Sequence, residues 1–531
     1  MSALPNDLLQ DPILGIASPS GERRVSLPEA LAALASGELR AYTGQRPHQA
    51  DYWHVLTVQL AASILARDPE CDSTRPPDTP EFWRAGLLEL AQGEPRAWQL
   101  VVDDATKPAF LQHPLQDRAV LGKPFQPKAH TPDELDVLAT AKNHDQKLAR
   151  MPAADVEAWV YALVCHQTAS GYLGAGNYGI VRMNAGRGNR PVVSLVQDPH
   201  PSPRWREELV IVCGLRDEVV KTYRYAERGV VLTWLSAWDR EGHQYVRGQS
   251  PPVLEPWFIE ACRAVRLVRD GAGIMAFAAS TRARQIGPKE DDSGDVGDPW
   301  IPLRADSKKG RKALTVNSTG WTAERLCNLL FEQEEHIQSP LGKPQKDGRP
   351  RVLCASALVR GKRKTEGWHE VRLPIPGKVA GRQSPDSERD LLAERAKDWL
   401  KVARDVESAL SAALIDFAKG GPEKPDFGRK GVKVWITKKI EHFTRRWQAM
   451  FFEKLWQTLG DGDEDVAKQQ WFATLKALAN AELDRALHLL PVPSQRSYRA
   501  TVRARGVWTG ALRKKQPTLF NPRHEGQENV P

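Results

Sequence analysis

The sequence predicts an α+β fold: a large mixed amino-terminal domain of irregular sheets and helices over residues 1–380, followed by a carboxy-terminal four-helix bundle over residues 381–531. A chain of 531 residues is too long for one ordinary core, so we expect at least two domains. Short apolar runs of strand length alternate with helical patterns as far as residue 375. Beyond residue 387 the apolar period is helical throughout.

The composition narrows the class of protein. Apolar residues make up 41% of the chain, which is enough for real cores, and Lys+Arg 75 against Asp+Glu 66 gives a net charge of +9. This charge favours a polyanionic partner, although ordinary proteins share such a balance. The 6 cysteines include no C-x-x-C pair, so the sequence predicts no metal site and reduced thiols in a cytoplasmic protein. We find no membrane-length apolar run or signal segment and expect no membrane partner.

Local patterns predict the first helices. Ser26 and Glu29 have the spacing of a capping box, which is typical of the start of a helix. A second helix is predicted to include residues 52–60. His48 and His54 have no cysteine or carboxylate cluster beside them in the sequence, so we interpret both as hydrogen-bonded structural residues.

A glycine-rich stretch follows an apolar helix or strand predicted at residues 154–168. It covers residues 171–191, GYLGAGNYGIVRMNAGRGNRP. Glycine lets the backbone approach a bulky ligand because no Cβ intervenes, at a cost in conformational entropy. Arg182, Arg187 and Arg190 add positive charge. Two interpretations stay open: a rigid loop that presents backbone to a groove while the arginines hold phosphates, or a tight connector between strands.

A dinucleotide-binding fingerprint is the first alternative to consider. Residues 174–179 match G-x-G-x-x-G, and Asp198 follows an apolar run that could be a strand. The fingerprint requires a helix directly after its glycines. Gly186, Gly188 and Pro191 follow too soon for a packed crossover helix, so we interpret the match as accidental.

The remaining part of the first domain contains mostly strand patterns. They lie at residues 192–196, 209–212 and 230–234, with a strand or a helix at 257–268. Residues 351–359 and 368–375 then predict a hairpin whose connecting turn, 361–367, has the cationic sequence GKRKTEG.

Four helical patterns predict the bundle. They include residues 400–417, 434–459, 466–490 and 497–512. Aromatic residues recur on the second of these helices and are interpreted as core. Arginines and lysines give the last helix a cationic edge, which we interpret as a second phosphate contact.

Several short motifs resemble one known family when taken in order. They are GQRPHQ at 44–49, PAFLQ at 108–112, AKNHD at 141–145, GNYGIVRMN at 176–184, LTV at 314–316, ALVRG at 357–361 and KTEGWHE at 364–370. With the helical carboxy-terminal domain, this order resembles the CasA family of large subunits of the type I-E CRISPR Cascade complex.

The resemblance implies a non-catalytic protein without a cofactor. Such a subunit recognises the protospacer-adjacent motif in double-stranded DNA, promotes R-loop formation and recruits a helicase-nuclease. Its implied partners are the other Cascade subunits and, through the complex, the CRISPR RNA. The alternatives are a nucleotide-dependent enzyme that uses the 174–179 loop, a nuclease, and a purely structural ribonucleoprotein subunit.

The resemblance also implies a set of DNA-binding residues. They are Gly174, Ala175, Gly176 and Asn177 in a glycine loop, Arg282 as a cationic finger, Lys362, Arg363 and Lys364 at a hairpin wedge, and Lys142 and Asn143 in a further loop. The finger is a lysine in the family, and the wedge commonly has a glutamine where this chain has Lys362. These two departures put the motif preference of this chain in doubt.

Overall fold

The α+β fold predicted from the sequence is confirmed by the computed structural model. The structure describes residues 6–115, 121–122, 125–136, 156–169, 182, 190–237, 251–261, 263–271, 273–279, 294–306, 310–331, 336–343, 347–361, 364–380, 388–420, 430–459, 463–489 and 494–521. The chain divides into two compact units. One contains Met1–Trp321 and Glu332–Gly381, and the other contains Thr322–Phe331 and Arg382–Pro531.

Most helices of the first unit contribute to one large apolar core. They are α1 (Leu27–Ser36), α2 (Pro47–Leu65), α3 (Pro80–Leu90), α4 (Pro132–Leu135), α5 (Val156–Thr168) and α6 (Pro201–Tyr223), and the short helix Gly377–Ala380 ends the unit. The predicted capping box is present, because the Ser26 N–H donates to the Glu29 carboxylate at 2.7 Å. Gly37 closes the same helix at φ 88°, a left-handed conformation that suits glycine.

The strands of the first unit form several small sheets. They are β1 (Leu14–Ser18), β2 (Gly21–Val25), β3 (Ala41–Tyr42), β4 (Gln126–Ala129), β5 (Pro191–Val196), β6 (Val230–Leu232), β7 (Leu254–Ile259), β8 (Ala264–Asp270), β9 (Gly273–Ala279), β10 (Leu303–Asp306), β11 (Gly310–Ala313), β12 (His336–Ile337), β13 (Arg351–Gly361) and β14 (Lys364–Ile375). Among the described strands, the sheet orders are β2-β1-β3, β11-β10-β12, β14-β13-β5 and β4-β9-β8, and β6 pairs with β7 in parallel.

One predicted strand is wrong. A second segment, predicted as either a strand or a helix, is assigned by the structure. Residues 209–212 lie inside α6, where Trp205, Leu209 and Val212 are buried at helical spacing. Pro201 begins this helix because a proline at the first turn removes an amide that has no intrahelical acceptor. Residues 257–268 belong to two strands, β7 and β8, rather than to a single element.

The second unit contains the predicted four-helix bundle. Its helices are α7 (Ala323–Phe331), α8 (Glu388–Lys419), α9 (Lys430–Trp456), α10 (Glu464–Leu489), α11 (Ser494–Lys515) and α12 (Pro517–Phe520), of which α8 to α11 are the long ones. Trp399 and Trp471 stack in its core with ring centroids 5.1 Å apart, and Phe451 packs edge-on against both. On α9, Phe443, Trp447 and Phe451 are buried in the core as predicted, whereas Trp456 is only half-buried. Hydropathy along the described helices nowhere reaches the level that a membrane span requires.

Candidate nucleic-acid interface

Most of the predicted DNA-binding residues lie outside the part of the chain that the structure describes. These are Lys142, Asn143, Gly174, Ala175, Gly176, Asn177, Arg282, Lys362 and Arg363. Lys364 is described only as the first residue of β14, where its backbone pairs with Gly361. The structure describes residues that flank these segments. The positions of those flanking residues show which segments begin or end close together.

The two ends of the glycine-rich stretch lie side by side. Helix α5 ends at Thr168, and the next residue, Ala169, accepts a hydrogen bond through its carbonyl from the Arg190 N–H at 3.4 Å. Strand β5 begins directly afterwards, at Pro191. The described residues on either side of 170–189 are therefore hydrogen-bonded neighbours.

Arg182 fixes one point within this stretch to the core. Its N–H donates to Glu260 Oε1 at 2.8 Å, and its guanidinium donates to the carbonyl oxygens of Pro256 at 2.8 Å and Phe258 at 2.6 Å. The same guanidinium lies 3.9 Å from the centre of the Phe258 ring. Because these acceptors lie in and directly after β7, the stretch is attached to that strand between its two ends.

Arg190 makes a second buried attachment at the end of the stretch. Its guanidinium contacts Glu260 Oε2 at 2.8 Å and Asp298 Oδ2 at 2.7 Å. Burial raises the pKa of the Glu260 carboxyl, although Arg190 and Arg182 oppose the shift. Two arginines and two carboxylates thus form a compact internal network whose charges compensate one another.

The interpretation of Arg182 and Arg190 as phosphate-holding cations is wrong. Both are only 1% exposed, and their charges face Glu260 and Asp298 inside the unit. A buried guanidinium needs a local counter-charge, and here carboxylates from distant parts of the chain supply it. The third predicted cation of the stretch, Arg187, lies outside the described residues.

The hairpin of β13 and β14 extends beyond its sheet at the end where β5 begins. In the antiparallel pair of β5 and β13, Pro191 is opposite Ala357, and β13 continues past that point to Gly361. At about 3.3 Å per residue, the tip begins about 13 Å beyond Pro191. The sheet therefore directs the hairpin past the position where the glycine-rich stretch ends.

Tyr52 joins the two segments directly. Its hydroxyl donates to the Arg190 carbonyl at 3.2 Å and accepts from the Leu358 N–H at 3.0 Å. Tyr52 is only 1% exposed, so water does not compete for these hydrogen bonds. The sequence predicts only that Tyr52 lies in a helix, and this bridging role was not predicted.

The segment that contains Arg282 begins beside the end of α5. Strand β9 ends at Ala279, which pairs with Ala264 at the start of β8. The adjoining residue, Arg263, donates its N–H to Gln167 Oε1 at 2.7 Å and accepts from Gln167 Nε2 at 3.1 Å. Since Gln167 lies in the last turn of α5, the described residues that precede this segment and the glycine-rich stretch lie close together.

Two histidines near this region are hydrogen-bonded to buried carboxylates, as predicted. His48 Nε2 lies 2.9 Å from Asp136, the last described residue before the segment with Lys142 and Asn143. His54 Nε2 lies 2.8 Å from Glu208. Burial lowers the pKa of His54 and Arg204 adds to the shift, so its imidazole is neutral near pH 7.

Three cations of the α11 edge are paired with carboxylates within the bundle. Arg503 lies 3.4 Å from Asp416, Arg505 lies 2.9 Å from Asp484 and Lys515 lies 3.5 Å from Asp405. These partners reduce the charge that the edge offers to phosphates. The second phosphate contact stays a prediction, and its most readily available cations are Arg499 and Lys514, which are both exposed.

The architecture defines a class of proteins in which a mixed α+β unit is followed in the sequence by a four-helix bundle. The chain belongs to the CRISPR-associated protein Cse1 family, whose sequence profile matches residues 5–481. This membership confirms the resemblance predicted from the motifs. No curated protein matches the chain significantly.

Solved structures with the same fold cover nearly the whole chain. CasA from Thermus thermophilus is 14% identical over 96% of this chain and 99% of its own, with a TM-score of 0.64. Cse1 from Acidimicrobium ferrooxidans is 15% identical over 98% and 100%, with a TM-score of 0.61. A chain of a CRISPR RNA-guided surveillance complex is 15% identical over 95% and 99%, with a TM-score of 0.57. Similarity at these identities shows the shared fold.

Proposed function

We propose that this chain is the large subunit of a type I-E CRISPR surveillance complex and that it recognises the protospacer-adjacent motif in double-stranded DNA. In this proposal it has no catalytic activity, promotes R-loop formation and recruits a helicase-nuclease. Its partners are the other Cascade subunits, the CRISPR RNA and target DNA. Family membership and the surveillance complex among the similar structures support the proposal.

The observation that carries the proposal is the convergence of three segments. The Ala169–Arg190 hydrogen bond closes the glycine-rich stretch, Gln167 holds the strand pair that leads to Arg282, and Pro191 pairs beside the hairpin that leads to Lys362. These segments are distant in sequence, yet the core brings their flanks together. A glycine backbone and cations presented from one region suit a groove of duplex DNA.

The expected mode of recognition follows from groove chemistry. The minor groove presents a degenerate pattern, so a protein that contacts it tolerates several related motifs. In this proposal Asn177 and the neighbouring glycine backbone contact base edges, while Arg282 contacts phosphate or the groove. Guide RNA pairing then provides the remaining sequence specificity, as in other RNA-guided systems.

The test measures binding of a motif-bearing duplex by the complete guide-loaded assembly. We expect Asn177→Ala and Arg282→Ala each to weaken binding about tenfold, equivalent to about 1.4 kcal/mol. Loss of Arg282 should also reduce the slope of log affinity against log salt by about 1. Lys221→Ala is the matched control, because Lys221 is an exposed cation on α6.

If this chain has a purely structural role in the assembly, neither variant should weaken duplex binding. If the assembly binds the motif-bearing duplex equally well with both variants, or without this subunit, motif recognition by this chain is contradicted. A scrambled motif that binds the wild-type assembly as tightly as the correct motif would contradict it as well.

A further inference from the structure

Three metal-ligating side chains meet in the core of the first unit. They are His48 from α2, Asp136 directly after α4, and Cys165 from α5. Their ligating atoms all lie within 4.8 Å of one another, and all three residues are buried. Nothing in the proposed DNA contacts uses this cluster.

We propose that His48, Asp136 and Cys165 bind one zinc ion. A thiolate and an imidazole select zinc over the hard cations Mg²⁺ and Ca²⁺, and three protein ligands are sufficient when water occupies the fourth position. Charge supports the assignment, because Zn²⁺ with one carboxylate, one thiolate and one neutral imidazole sums to zero. A neutral assembly is the form that a buried site can hold without a further counter-ion.

The ligand atoms of the cluster need to move apart only slightly to accommodate a metal ion. His48 Nε2 lies 2.9 Å from both Asp136 Oδ1 and Oδ2. Nitrogen and oxygen ligands about 2.1 Å from a tetrahedral ion lie about 3.4 Å apart, so the pair must separate by about 0.5 Å. The Cys165 thiol proton leaves to solvent as the Zn–S bond forms, and the proton that His48 Nε2 shares with Asp136 moves to Nδ1, so that Nε2 is free to bind the ion.

A neighbouring side chain donates a hydrogen bond to one of the proposed ligands, as is common around metal sites. Gln49 Nε2 donates to Asp136 Oδ2 at 2.8 Å, which orients the carboxylate. The competing arrangement is a hydrogen-bonded cluster without metal, in which His48 pairs with Asp136 and the Cys165 thiol lies 3.9 Å from the His48 carbonyl. The two arrangements differ in metal content and in the state of the sulfur.

The site would connect two flanks of the candidate interface. Asp136 directly precedes the segment with Lys142 and Asn143, and Cys165 lies one helical turn before Ala169, where the glycine-rich stretch begins. An ion would join both positions to α2. The metal site does not depend on DNA recognition, and its test uses no nucleic acid.

The first experiment measures the metal content of the full chain purified without chelator. We expect one zinc ion per chain in the wild type and in Cys354→Ser, and none in Cys165→Ser. Cys354 is the matched control, because it is also a buried thiol of the first unit. Replacing zinc with Co²⁺ should give a thiolate-to-cobalt charge-transfer band in the wild type and in the control, but not in Cys165→Ser.

The wild-type protein alone also decides the question if the variants fail to fold. We expect a chelator to lower the Tm and added Zn²⁺ to restore it, because a ligand that binds only the native state stabilises it. A wild-type chain without zinc whose Tm ignores added Zn²⁺ would overturn the proposal in favour of the hydrogen-bonded cluster. A cobalt–thiolate band that persists in Cys165→Ser would overturn it too.

Discussion

The two units place their charges differently. The first unit holds ionised groups in its interior, where Arg182, Arg190, Glu260 and Asp298 contact one another with almost no solvent exposure. The bundle has an aromatic core. Some of its ion pairs, such as Arg505–Asp484, are half exposed, and its buried carboxylate Glu482 is paired with partly exposed cations at its surface.

The difference follows from how each unit satisfies the hydrogen-bonding groups of its backbone. Long helices satisfy their own amides, so the bundle needs mainly apolar packing between its helices. The first unit has short strands and irregular connections, which leave carbonyl groups without sheet partners. Arg182 satisfies two of these, at Pro256 and Phe258, and thereby fixes the glycine-rich stretch. A buried arginine therefore takes the place of a neighbouring strand along part of β7, where the glycine-rich stretch is attached.

The largest effect is expected from removing one charge of this network. Arg190→Met leaves Glu260 and Asp298 without their main partner, and breaking a buried pair typically costs about 3–5 kcal/mol. The measurement is the midpoint of the first urea transition. Adding Glu260→Gln and Asp298→Asn should recover part of the loss. A cost below about 1 kcal/mol would show that the network is not essential.

A substitution in the bundle core should cost less stability, and the loss should depend only on the side-chain volume that is removed. Leu475 is fully buried in α10, and Leu475→Ala is expected to destabilise the bundle by about 3 kcal/mol through lost transfer energy and a cavity. The loss should be independent of pH and salt, which urea titrations at two salt concentrations would check. A strong salt dependence would break the contrast between the units.

Acid should destabilise the first unit through His113. Burial lowers its pKa to about 4, below the ordinary 6.5, although backbone hydrogen bonds oppose the shift. The unfolded chain takes up this proton first, so stability falls as the pH drops below 6.5 until it reaches the folded pKa. The contribution of His113 to this loss between pH 7 and pH 5 is expected to be about 2 kcal/mol, and Glu255, whose pKa burial raises to about 7, opposes it over the same range. His113→Gln should flatten that slope, and an unchanged slope would contradict the assignment.

The smallest effect is expected at the bundle surface. Arg505 and Asp484 are 57% and 50% exposed, so solvent screens their 2.9 Å contact. A double-mutant cycle with alanine at both positions should give a coupling energy of about 0.2–1 kcal/mol that decreases with added salt. A coupling as large as that of the buried network would remove the distinction between the two units.

Local sequence patterns predicted the elements whose cause is local. The Ser26–Glu29 capping box, the β13–β14 hairpin and the bundle helices all follow from residues close in sequence. The predicted strand at 209–212 is wrong because a short apolar run does not distinguish strand from helix, and its helical period appears only when Trp205 is included.

The site was harder to predict because its contacts are distant in sequence. Arg182 and Arg190 resemble phosphate ligands beside glycines, but Glu260 and Asp298, up to 108 residues away, determine their burial. The bridge from Tyr52 to Leu358 spans 306 residues, and no local pattern indicates it. The family motifs identified the segments of the candidate interface, whereas only the fold shows that their flanks meet.

Hydrogen exchange of the assembled, guide-loaded complex tests the central claim most directly. With a motif-bearing duplex added, we expect peptides covering residues 170–189 and the hairpin tip around Lys362 to become protected together, relative to a scrambled motif. Unchanged exchange in both segments, with the duplex bound, would contradict the account.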